Sequence, residues 1–153
     1  MSKLSIYLND HLMGSTAAVE RARLAALSNR DNEYGQFLAR LAREIEEDRA
    51  SLRRIMRAHG VGADRVKQAL GWAGEKFGRL KLNGRVIGYS PLSRLLELEL
   101  LSVGVHGKRA LWRTLQADEL ADSRELDDLI ARAERQLEEV EQHRLRAASE
   151  AFA

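Results

Sequence analysis

Five side chains in this sequence have the chemistry of a metal site or a proton relay: His11, Glu44, Asp48, Glu99 and His106. Imidazole nitrogens with one or two carboxylates suit a single Zn, Fe(II) or Mn ion. A buried Asp beside a His also shifts both proton affinities, which is how a relay pair is made. Glu44 and Asp48 are one helical turn apart, so a helix puts them on neighbouring parts of one face. Asp48 falls in the middle of an apolar stripe. Glu99 and His106 interrupt another, and His11 borders a third.

Whether they meet depends on helix direction. If the second and third helices run parallel, Asp48 lies about 24 Å from their shared starting end, at 1.5 Å per residue. His106 then lies at nearly the same level. His11 and Ala133, on the helices running the other way, come close to it, and Glu44 sits one turn above. If those helices run antiparallel, Glu99 takes the place of His106. A purely structural reading fits the same residues. A buried carboxylate without a partner is costly, so Asp48 would pair with His106, Arg144 or Arg113 and fix helix register.

Four elements must position these residues. A first helix over about 3–28 carries Leu4, Leu8, Leu12, Ser15, Val19, Ala22 and Ala26 on one face. The turn Ser28–Asn32 caps a second helix over about 32–59, with the stripe Tyr34, Phe37, Leu38, Leu41, Ile45, Leu52, Ile55 and Met56. Ser90-Pro91 starts a third helix at about 92–116. That helix is apolar nearly all round. One stripe is Leu92, Leu95, Leu96, Glu99, Val103, His106 and Ala110, and a second is Leu98, Leu101, Val105 and Trp112. Gly104 and Gly107 permit close approach of a neighbour. Asp122 with Glu125 begins a fourth helix over about 123–148, whose inner face includes Ala133, Gln136 and Arg144. Between the second and third helices runs a long connection, with a short amphipathic helix expected at about 64–77.

Composition agrees with helices. Of 153 residues, 44% are apolar and only 5% aromatic, with a single proline, a balance of aliphatic and charged residues that favours a helical bundle. The absence of cysteine excludes disulfides, thiolate ligands and a cysteine nucleophile. No apolar run approaches the roughly 18–20 residues needed to span a bilayer. The start has no apolar signal core. A cytoplasmic protein without a membrane partner is expected.

The net charge of +2 is too small to argue for nucleic acid. It is unevenly spread. The connection is basic (Arg65, Lys67, Lys76, Arg79, Lys81, Arg85) and the fourth helix is acidic. With Trp72, Phe77 and Tyr89 interleaved, the connection has the composition of an anion or nucleic-acid binder. Pairing with the acidic fourth helix is the simpler explanation and makes nucleic acid the lesser expectation. No phosphate-loop lysine spacing and no nucleophile elbow is present.

Two helix pairs joined by one long crossover is ferritin-like connectivity. The phrases Y-L-N-D-H (7–11), E-I-E-E-D-R (44–49) and S-P-L-S-R-L-L-E-L-E (90–99) also resemble small bacterial members of the ferritin-like superfamily. The resemblance implies an all-α, ferritin-like four-helix bundle with an extra crossover helix. It does not extend to di-iron chemistry, because the chain contains no Glu-x-x-His. The expectation is therefore a single non-catalytic bundle, a structural or protein-interaction module without a cofactor, forming a homodimer through the third helix; covering of that helix's second stripe by the short helix of the connection is the equal alternative. The alternatives are a metal-binding protein or metalloenzyme holding one Fe, Mn or Zn ion, and an anion binder working through the basic connection.

Overall fold

The computed structural model describes residues 2–63 and 88–153. The short helix expected at 64–77, and the basic residues from Arg65 to Arg85, lie outside the described residues. Among the described residues there are four α-helices and no strand: α1 (Lys3–Ser28), α2 (Glu33–Ala58), α3 (Pro91–Ala117) and α4 (Ser123–Phe152). None of these helices is long and apolar enough to cross a membrane.

Local side-chain chemistry fixes each helix start. The hydroxyl of Ser2 accepts the Ser5 N–H, Asn32 accepts that of Tyr34, and Asp122 accepts that of Glu125. Ser90 and Ser93 cap each other reciprocally ahead of α3, with Pro91 in the first turn. These groups satisfy amide donors that have no partner inside the helix. Two ends share a chain reversal. Gly60 at φ 65° lets Val61 N–H reach Met56 O after α2, and Glu119 at φ 52° does the same for Leu120 and Leu115 after α3. α4 continues to Phe152, beyond the 148 expected from its apolar pattern, because Ala147, Ala148 and Ala151 still pack on the core.

The contacts at the two ends give the helix directions. At one end Arg94 of α3 donates to Asn29, just past α1, and to Glu150 near the end of α4. Tyr34 of α2 donates to the same Glu150. At the other end Asn9 of α1 donates to Gly62 O, His59 bonds Leu120 O, and Arg54 of α2 pairs with Glu125 of α4. So α2 and α3 run parallel, and α1 and α4 run against them. α1 packs against α2 and α3, and α4 packs against α3 and α2. The chain leaves α2 at one end of the bundle and enters α3 at the other.

Asn29 is the hinge pin of the first end. It is buried, donates to Ala25 O and Tyr89 Oη, and accepts from Arg94 and Asn32. Gly35 sits directly beneath it. A Cβ there would lie 2.3 Å from the Asn29 carbonyl oxygen.

The core face of α3 is the second of its two apolar stripes. Leu98, Leu101, Val105 and Trp112 are buried, together with Leu95, Leu111 and Leu115. Of the other stripe only Leu95 turns inward; Leu92, Leu96 and Val103 are exposed, as are Glu99 and His106. The apolar interior forms two clusters. One runs from Val19, Tyr34 and Leu98 to Val140, and the other gathers Leu8, Leu12, Leu52, Trp112 and Leu126.

Gly35 and Gly14 make a paired test of this packing. Gly35→Ala has no room, and overpacking against fixed backbone costs about 1–3 kcal/mol. Gly14 has nothing within 4 Å of an added Cβ. Gly14→Ala therefore gains helix propensity and stabilises by about 0.5–1 kcal/mol. Urea denaturation of the two variants should move in opposite directions; equal shifts would contradict the packing.

Candidate functional site

Between the two apolar clusters lies a polar layer. Asp48 enters it because Leu41, Ile45, Leu52 and Ile55 set the inner face of α2 and position 48 falls on that face, leaving it 2% exposed. Gln136 enters from α4, one turn from Ala133 and Val140, and is equally buried. Lys108 enters from α3, on the line Leu101, Val105, Lys108, Trp112.

These groups form one chain of hydrogen bonds across three helices. The Lys108 ammonium donates to Asp48 Oδ2 at 2.5 Å and to Gln136 Oε1 at 2.5 Å. Arg132 Nη1 donates to the second Asp48 oxygen at 3.0 Å and to Glu47 at 3.1 Å. Gln136 passes its amide N–H to Glu44 Oε2 at 2.8 Å. Both oxygens of the buried carboxylate thus meet a cation. Burial pulls the Lys108 proton affinity below the usual lysine range, and Asp48 works against that shift.

The layer brings together two of the five residues singled out by sequence, Glu44 and Asp48. Of the other three, His106 and Glu99 lie on the outer side of α3, and His11 lines a cavity that Asp48 also lines. His106 is exposed, with its Nδ1 against Ser102 O. Glu99 is exposed and pairs with Arg144 at 3.7 Å. Neither faces Asp48, whichever helix direction is considered, because the stripe carrying both is the outer one. His11 is half-buried and lies edge-on to Tyr7 with ring centroids 4.7 Å apart. Burial lowers its proton affinity, opposed by Asp10. Among the described residues His11 makes no hydrogen bond to Asp48, and no three His, Asp or Glu side chains converge as a ligand set. The inward arginine is also a different one. Arg113 pairs with Glu134 and Arg144 with Glu141, while Arg132 reaches Asp48.

Lys108 is the residue that sequence reasoning missed. Lysine is almost never fully buried unless paired, so a lysine among leucines reads as the wet edge of a helix. The usable signal was its level. Counted along parallel helices, Lys108 starts about 3 Å below Asp48, and helical side chains lean toward the N-terminus. Its ammonium is thereby carried up to the carboxylate.

At an effective dielectric of about 20, a contact ion pair is worth about 4 kcal/mol. Desolvation costs several kcal/mol per ion. The two nearly cancel, so the layer adds little net stability when complete and a large penalty when half removed. Asp48→Ala should cost about 3–5 kcal/mol in urea denaturation, while the double variant Asp48→Leu with Lys108→Leu should return to within about 1 kcal/mol of the parent. A neutral Asp48→Ala would contradict the burial and pairing described here. Comparison of the chain with protein-family models, with curated proteins and with solved structures returns no match.

Proposed function

We propose that this chain is a non-catalytic, ferritin-like bundle that serves as a protein-interaction module and pairs with a second copy through the outer face of α3. The observation that carries the non-catalytic part is the occupancy of Asp48. The one buried carboxylate among the described residues has both oxygens committed to Lys108 and Arg132. Each oxygen is already met by a cation, which holds the carboxylate as an ion-pair partner within the core. The ferritin-like reading is supported by the parallel run of α2 and α3, with the chain re-entering at the opposite end. A cytoplasmic location belongs to the same reading, supported by the cysteine-free composition.

The self-association is supported by what α3 exposes. Leu92, Leu96, Leu100 and Val103 lie on its outer side, and Val103 is 70% exposed. Contiguous apolar surface of this kind marks a contact site more often than free surface. A single helix face presented by each of two identical chains meets the self-complementarity of a two-fold dimer.

Sedimentation equilibrium tests this directly. The parent chain should be a dimer at micromolar concentration, and Leu96→Glu with Val103→Glu should give a monomer with unchanged helical circular dichroism. A parent chain that stays monomeric at about 0.5 mM would reject the dimer.

A further inference from the structure

The outer face of α3 carries a pattern that sets how a partner must lie on it. We propose that the second copy docks antiparallel on α3, about a two-fold axis at the level of Val105, so that the bulky half of each helix packs on the small-residue half of the other. This rests on the self-association proposed above and adds its direction and register.

Spacing makes the face a seam. Leu96, Leu100, Val103, Gly107, Ala110 and Thr114 follow one another in steps of four, three, four, three and four. Such steps average about 3.5 residues, the repeat at which one helix keeps a continuous line against another. At 1.5 Å per residue the line is about 27 Å long. The order of steps is the same read from either end, so an antiparallel copy meets it layer for layer. Leu96 falls opposite the partner's Thr114, Leu100 opposite the partner's Ala110, and Val103 opposite the partner's Gly107. Val105 itself faces the core.

Side-chain size selects the direction. Leu96, Leu100 and Val103 each leave half or more of their surface exposed. The other half of the seam is glycine, alanine and threonine. Among the described residues nothing lies within 4 Å of a Cβ added at Gly107. Antiparallel docking puts one large and one small residue in every layer, and the axes run evenly about 8 Å apart. Parallel docking sets leucine on leucine at one end and glycine on glycine at the other. The axes must then diverge, and the small half loses its contacts.

Charge beside the seam agrees. Glu99, His106 and Arg113 follow at seven-residue steps along the edge nearer α4, where Glu99 pairs with Arg144 at 3.7 Å and Arg113 with Glu134 at 2.8 Å. The same axis brings Glu99 beside the partner's Arg113, twice by symmetry, and His106 beside the partner's His106. Exposed pairs of this kind contribute less than about 1 kcal/mol each. They favour one register over another more than they add affinity.

Since the chain has no cysteine, introduced ones report the pairing without background. Leu100→Cys and Ala110→Cys change two exposed positions. The two full-length variants are mixed, oxidised with copper phenanthroline and weighed by intact-mass spectrometry. A disulfide needs Cβ atoms about 3.5–4.5 Å apart. The mixed disulfide should therefore form, while either variant alone stays reduced, because two copies of position 100 lie about 15 Å apart along the antiparallel pair. A size swap gives a second reading by sedimentation. Ala110→Leu should weaken the dimer about tenfold or more, and adding Leu100→Ala should restore it. Homodisulfides from each variant alone would overturn the direction and leave the dimer standing. A dimer that neither cross-links in the mixture nor recovers in the swap overturns the register. A monomeric parent chain removes the self-association itself, and the pairing with it.

Discussion

A carboxylate at the midpoint of a helical core must be met by positive charge, and the placement of Lys108 and Arg132 around Asp48 is the constraint on which this bundle turns. One partner comes from α3 and the other from α4. Sliding either helix by a turn moves its cation about 5.4 Å, far beyond hydrogen-bond reach. It would leave an ion buried without a partner, which costs several kcal/mol. Leucines, by contrast, tolerate such a slide, since one apolar contact substitutes for another. Register in this fold is therefore specified by the polar layer, while the two apolar clusters on either side supply the driving force.

The layer also explains the division of the interior. The first cluster ends at Ile45, Leu101 and Val140, and the second begins at Leu52, Leu111 and Leu129. Asp48, Lys108 and Gln136 occupy the level between them. At one end of the bundle a second polar junction performs a comparable role. Asn29 joins the end of α1 to Tyr89 and Arg94, and the Tyr89 hydroxyl donates a hydrogen bond to Glu97. Burial raises the proton affinities of Tyr89 and Glu97, and a second tyrosine-acid contact, Tyr34 with Glu150, has its phenol pushed up to about 12. These phenols stay protonated and act as fixed donors.

Helix ends were legible in the sequence because capping is local. Ser90-Pro91, Asn32 and Asp122 announce their helices through chemistry contained within a few residues. The inward position of Asp48 was legible for the same reason, since α2 has one clear stripe. The facing of α3 was not. It offers two apolar stripes, and periodicity has no means of ranking them. What decides is tertiary: a buried acid on α2 needs a cation, and Lys108 lies on the stripe that holds Leu101 and Trp112. His106 was placed at a suitable level but on the outer stripe. The glycines of α3 divide in a related way. Gly104 and Gly107 both permit close approach, and among the described residues a neighbour is near only at Gly104, where an added Cβ lies 4.0 Å from the Ala18 Cβ.

The claim that Asp48 is answered by protein cations, and not by a metal, is open to elemental analysis of the chain purified without an affinity tag or chelator. The ion-pair layer predicts Fe, Mn and Zn far below one equivalent per chain, and a melting temperature indifferent to added metal. About one equivalent of any of these, lost in Asp48→Ala, would contradict it, since a ligand that binds only the folded state raises its stability.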